Sequence, residues 1–177
     1  MKKSFKLILF IPLFVLFIQS SCKKDTPKIT TYGAYKFAAK VNGQDFIPSG
    51  DVFNEPIVTQ YQVSPTTPGK FNYYIVAYRT DKSSIELYID NFKGVGTYSL
   101  NTFTYGYPQQ FEPPSCGMYY KTSGYNTSLW ITNSIESGSI TFTEYSNGKT
   151  SCSVSFKAKN LQDGSTVEVT NGFLSKN

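Results

Sequence analysis

Beyond its N-terminal segment the chain repeats one pattern: short runs in which apolar and polar residues alternate, separated by turn-forming residues. Phe37, Ala39 and Val41 alternate with polar neighbours and run into Asn42-Gly43, a strong hairpin signal. Phe46-Ile47-Pro48 reads as the return strand, and residues 57–63 as another short one. Phe71 to Arg79 is a strand with aromatics on both faces, followed by a turn over 80–83. Ile85, Leu87 and Ile89 then alternate with Glu86, Tyr88 and Asp90. Gly94 to Leu100, Gly117 to Lys121, Ser128 to Thr132 and residues 138–145 give four more short strands. Cys152, Val154, Phe156 and Ala158 share one face of a longer strand entered through Asn147-Gly148. After Asp163-Gly164, Val167 and Val169 lead out to Asn171-Gly172-Phe173.

No segment with a helical period of 3.6 residues occurs outside the N-terminal segment. Many short strands with closely spaced turns predict an all-β fold: an antiparallel β-sandwich or calycin-like barrel of about 8–10 strands, mostly hairpin-connected. The expected organisation is a leader over 1–21, a lipidated cysteine and flexible tether over 22–33, and a single all-β domain over 34–177.

The leader is read from charge and hydropathy. Lys2, Lys3 and Lys6 precede Leu7 to Ile18, twelve uncharged residues. A bilayer core takes roughly 20 apolar residues, so this run suits the apolar region of a signal peptide better than a membrane span. Gln19-Ser20-Ser21-Cys22 resembles the site cut by lipoprotein signal peptidase, although the commonest form has Leu where Gln19 stands. Cys22 is the expected lipidation site, and acyl chains on it the expected tie to a membrane.

The segments Phe37 to Gly43, Gly94 to Tyr98, Gly138 to Phe142 and Val167 to Phe173, taken in order, resemble a Bacteroidota lipoprotein family of unknown function. The likeness covers most of residues 35–174. Lys23-Lys24-Asp25 is similar to the charged start of such lipoproteins. The resemblance implies an exported chain anchored in the outer membrane, on its periplasmic face or at the cell surface. It brings no catalytic residue and no cofactor.

Charge then narrows the function. Of 17 basic and 12 acidic residues, Lys2, Lys3, Lys6, Lys23, Lys24, Lys28 and Asp25 precede Thr30. From Thr30 onward the chain is neutral, with Arg79 its only arginine. That speaks against nucleic-acid binding, which needs a basic face. Histidine is absent, so a Ser-His-Asp triad, a Cys-His pair and histidine-ligated metals are out of reach. Carboxylates such as Asp45, Asp51, Glu55, Glu86 and Asp90 carry no motif that pairs them for hydrolysis or for calcium. Glu86 and Asp90 share an outward strand face, where solvation is the simplest role.

Lipidation of Cys22 leaves Cys116 and Cys152. In an oxidising compartment an even pair predicts a disulfide, closing a loop of about 36 residues. The stretch 103–125 interleaves tyrosines with Pro and Gly. Tyr105, Tyr107, Tyr119, Tyr120 and Tyr125 are the candidate ligand-binding residues, because a tyrosine offers a flat apolar face and a hydrogen-bonding tip. The same rings also suit a structural role, covering the sheet, and Trp130 reads as core more readily than as a platform. The expected function is a non-catalytic binding module that captures a glycan or other small ligand or serves as an accessory subunit of an envelope protein complex, with a carboxylate-based hydrolase as the outside alternative.

Overall fold

A computed structural model of the chain describes residues 26–50, 55–64, 67–101 and 115–177. Every regular element among them is a strand: β1 (Thr30–Tyr32), β2 (Tyr35–Val41), β3 (Gln44–Asp45), β4 (Ile57–Val63), β5 (Phe71–Tyr78), β6 (Ser83–Ile89), β7 (Gly96–Leu100), β8 (Cys116–Ser123), β9 (Asn126–Ile131), β10 (Gly138–Ser146), β11 (Lys149–Asn160) and β12 (Thr166–Lys176). The fold is all-β, as the alternation predicts, with 12 strands among the described residues rather than eight to ten.

All pairings are antiparallel. The path runs β1-β2-β12-β11-β9-β8-β6-β5-β4, with β10 on β11, β7 on β10 and β3 on β2. Its end strands β1 and β4 do not meet, so the sheet stays open and no barrel closes. The path turns a corner at β11. The first part of that strand pairs with β10, while Lys159 and Asn160 at its end pair with Ile131 and Trp130 of β9. The half containing β2, β12, β11, β10 and β7 contributes Phe37, Val169, Phe156 and Phe142 to one core. The half containing β9, β8, β6, β5 and β4 contributes Ile75, Ile85, Leu87 and Tyr119 to the same core. Two sheet halves over a shared interior are consistent with a β-sandwich.

Strand β11 shows why the alternation folds this way. Cys152, Val154, Phe156 and Ala158 are buried and the residues between them are not. Phe156 reaches the facing half, where a Cβ on Gly117 would lie 2.9 Å from its ring. The ring therefore fills the place that a side chain at 117 would take. Strand β6 differs, because Ser84, Tyr88 and Ile85 are all buried: it is covered on both faces.

The three Asn-Gly pairs diverge. Asn42-Gly43 (φ 49° and 78°) and Asn147-Gly148 (φ 48° and 82°) are left-handed at both residues, as tight hairpins require. Asn171 (φ 51°) instead sits inside β12, at a register shift between Thr170 and Phe173. There the dipeptide makes a bulge, and the strand continues to Lys176. The return strand expected over 46–48 is only Gln44–Asp45. Thr30–Tyr32, assigned by sequence to the tether, pairs with Tyr35–Phe37 as β1.

The expected disulfide does not form: Cys116 and Cys152 are free, buried thiols. Strand parity explains it. Gly117 and Tyr119 of β8 face the shared core, so Cys116 faces the opposite side of its sheet with Tyr88 and Ile131. Cys152 lies in the shared core, and a sheet separates the two sulfurs. Burial pushes both thiols up to about 12, so they stay protonated near neutrality.

Candidate functional site

The two sheet halves part at the C-terminal end of β5 and leave a cleft of about 440 Å³. One wall comes from the β2–β3 hairpin, with Val41, Asn42, Gln44 and Asp45, and from the start of β12 with Thr166 and Val167. The other comes from Arg79 beyond β5, Tyr119 and Lys121 of β8, and Trp130 of β9. The hairpin is fixed by an exchange with β12: Asn42 N–H donates to Glu168 O and Glu168 N–H to Asn42 Oδ1, both at 2.8 Å.

The aromatic side is preorganised. Trp130 and Tyr119 lie 5.6 Å apart at 47°, and Phe46 meets Tyr119 edge-on at 6.5 Å. Trp130 Nε1 donates to Ser165 Oγ at 3.0 Å, and Ser165 Oγ donates to Asp163 at 2.6 Å. That chain fixes the indole plane, leaving Trp130 half-buried in the cleft wall.

The charges are held as firmly. The Arg79 guanidinium sits 5.4 Å from the Phe46 ring centroid and 3.3 Å from Asp81. Partial burial pushes the Asp81 carboxyl up, but two bonds from Ser83 and the charges of Arg79 and Lys121 outweigh it and hold it below its usual range. Asp45 is the one carboxylate lining the cleft among the described residues, and Lys40 pairs with it at 3.4 Å. The arrangement offers stacking surface, amide and hydroxyl hydrogen bonds, and two cations. Among the described residues no three of His, Cys, Asp and Glu converge to hold a metal ion.

Of the expected tyrosines that are described, only one reaches this cleft. Tyr119 lines it, but its neighbour Tyr120 points to the other face of the sheet, as alternation demands. There Tyr120 lies near Glu86, which accepts hydrogen bonds from Tyr74 and from Ser84. Burial, then the nearby Glu86, push the Tyr120 hydroxyl up to about 12. Glu86 is thus half-buried and hydrogen-bonded rather than solvated, and Asp90 pairs with Lys70 at 2.6 Å. Tyr125 is fully exposed at the β8–β9 turn. Tyr105 and Tyr107, like Cys22, lie outside the described residues. The candidate tyrosines that are described therefore do not form one platform.

Sequence reasoning missed Asn42, Gln44, Arg79 and Lys121. One signal was available: Arg79 is the only arginine, placed just past the strongest strand. A smaller cavity of about 240 Å³ lies at the opposite end of β5, lined by Tyr61, Tyr73, Tyr145, Lys149 and Lys176 among others. Comparison with known proteins finds no family model, no curated protein and no solved structure that matches this chain.

Proposed function

We propose that the chain is an exported lipoprotein, held at the outer membrane by acyl chains on Cys22, whose domain is a non-catalytic binding module. Its ligand is a glycan or a polar molecule of similar size, taken into the cleft between Trp130 and Arg79. The observation that carries this reading is the lining itself: a tryptophan and a tyrosine braced side by side, facing amides and two cations. Rigid aromatic faces with a few placed polar groups are what a small-ligand site needs.

The test is binding of the full chain, in detergent micelles, to an array of glycans. Trp130→Ala is expected to weaken the captured glycan by about 2 kcal/mol, roughly 30-fold in Kd, as for a buried aromatic anchor. Trp130→Phe keeps part of the face and is expected to lose less. An array on which nothing binds, or an unchanged Kd for a folded Trp130→Ala, would sink the cleft reading and turn the search to envelope proteins.

The anchor has its own test. Cys22→Ser is expected to abolish incorporation of labelled palmitate and to move the chain out of the membrane fraction. A variant that remains acylated and sediments with membranes would overturn the anchor without touching the cleft.

A further inference from the structure

Strand β4 ends the sheet, and among the described residues its only ladder partner is β5. An unpaired edge invites another strand unless charge, proline, a bulge or shortness blunts it. Among the described residues none of these acts on β4. It is seven residues, Ile57-Val58-Thr59-Gln60-Tyr61-Gln62-Val63, with no charge, proline or glycine, and its register with β5 runs unbroken from Ile57↔Ala77 to Val63↔Phe71. Gln60 to Val63 are all exposed, Val63 at 63%. The strand at the other end, β1, has three residues.

The hydrogen-bond phase fixes which groups face outward. Ser64 N–H donates to Lys70 O at 2.8 Å, and Tyr78 N–H donates to Pro56 O at 2.9 Å. In an antiparallel ladder the bonded pairs recur at every second residue. The even-numbered residues of β4 therefore spend their backbone groups on β5. Ile57, Thr59, Tyr61 and Val63 turn theirs to the free edge.

We propose that this edge pairs with β4 of a second copy of the chain, antiparallel, about a twofold axis at Gln60. The strand is self-complementary about that residue. Ile57 meets Val63, Thr59 meets Tyr61, Val58 meets Gln62, and Gln60 meets its own copy. The residues with outward backbone groups meet one another, so the ladder hydrogen bonds close. Core-facing residues stay beside core-facing residues, because the pairing joins odd positions to odd. No like charges oppose one another across the axis, as they would if the centre carried a lysine or glutamate. The result is one continuous sheet through two molecules, an isologous contact that closes on itself.

The register supplies the test. Across the axis the two Gln60 residues form a non-hydrogen-bonded pair, with Cα atoms about 4.5 Å apart, inside the roughly 4.4–6.8 Å that a disulfide spans. Gln60→Cys in the full chain, dilute in detergent under mild oxidation, is expected to yield a covalent dimer. Val58→Cys and Gln62→Cys, on the same strand face, would stand about 13 Å from their symmetry mates and are expected to stay monomeric. Thr59→Pro removes an edge N–H that β5 does not use, and added to Gln60→Cys it is expected to cut the dimer yield several-fold with the thermal transition retained. A monomeric Gln60→Cys, or equal yields at 58, 60 and 62, would overturn the pairing.

Discussion

Gly138→Ala is expected to destabilise the fold by about 3 kcal/mol or more, the upper end of what overpacking costs, and to lower the melting temperature by about 10 °C. Gly138 opens β10 between two strands, paired with Phe156 of β11 on one side and Leu100 of β7 on the other. A Cβ there would lie 2.2 Å from Ser155 O and 2.4 Å from Phe156 Cα. Both are backbone atoms, so no side-chain rotation relieves the contact. The segment cannot back away cheaply either. Lys157 N–H donates to Ser137 O at 3.0 Å, and Glu136 pairs with Lys157 at 3.0 Å. Gly148→Ala is the contrast. Its φ of 82° disfavours a side chain, but nothing lies within 4 Å of the added methyl. It is expected to cost only about 1 kcal/mol, the penalty of a left-handed alanine. Chemical denaturation of the two variants beside the parent ranks them, and a Gly138→Ala within 1 kcal/mol of Gly148→Ala would show that β10 and β11 can separate without loss.

The same comparison marks how far the sequence could be read. Strands β10 and β11 follow from their period-two alternation, because a half-buried strand must alternate; β6 also alternates in sequence and β5 reads from its β-branched and aromatic residues, although both are buried on both faces. Strand β1 escaped because Thr30-Thr31-Tyr32 carries no contrast of hydropathy, and its pairing is set by the neighbouring Tyr35–Phe37. The cysteines misled for a related reason. Counting them gives an even pair, but parity along β8 sends Cys116 away from the core that holds Cys152. Parity was legible for β11, where one face is polar, and hidden for β8, where both faces are at least partly apolar. The Asn-Gly pairs show a further limit. The dipeptide specifies left-handed backbone, and whether that becomes a turn or a bulge depends on β2, which pairs with β12 on both sides of Asn171. The cleft was least legible. Asn42, Arg79 and the β8–β9 hairpin that carries Lys121 and Trp130 come from three distant stretches, and only the strand order brings them together.

Phe92→Ala is expected to cost about 4 kcal/mol, near the top of the range for deleting a buried aromatic ring. Nothing in the local pattern announces this residue. It stands in the connection between β6 and β7, after Asn91 with its φ of 52°, and yet it is 3% exposed. The turn points the ring inward, and Phe92 N–H donates to Phe71 O at 2.7 Å. The ring then stacks on Tyr73 of β5 at 4.9 Å and on Tyr98 of β7 at 5.4 Å. It meets Phe142 and Tyr145 of β10 edge-on at 4.8 and 4.7 Å. Tyr73 belongs to one sheet half and the other three to the facing half, so Phe92 is the filling between them. Each oriented aromatic pair adds about 0.5–1.5 kcal/mol beyond its buried area, which moves the substitution toward the upper end. Phe92→Leu separates volume from ring geometry: it keeps most of the volume and is expected to cost about 1–2 kcal/mol. The near-ultraviolet dichroism of the tyrosines should weaken in the alanine variant, since Tyr73, Tyr98 and Tyr145 all lose their common neighbour. A Phe92→Ala that unfolds with the parent's midpoint would mean that β5 and β10 hold the sandwich together without it, and that the seam between the halves is carried by Phe156 over Gly117 instead.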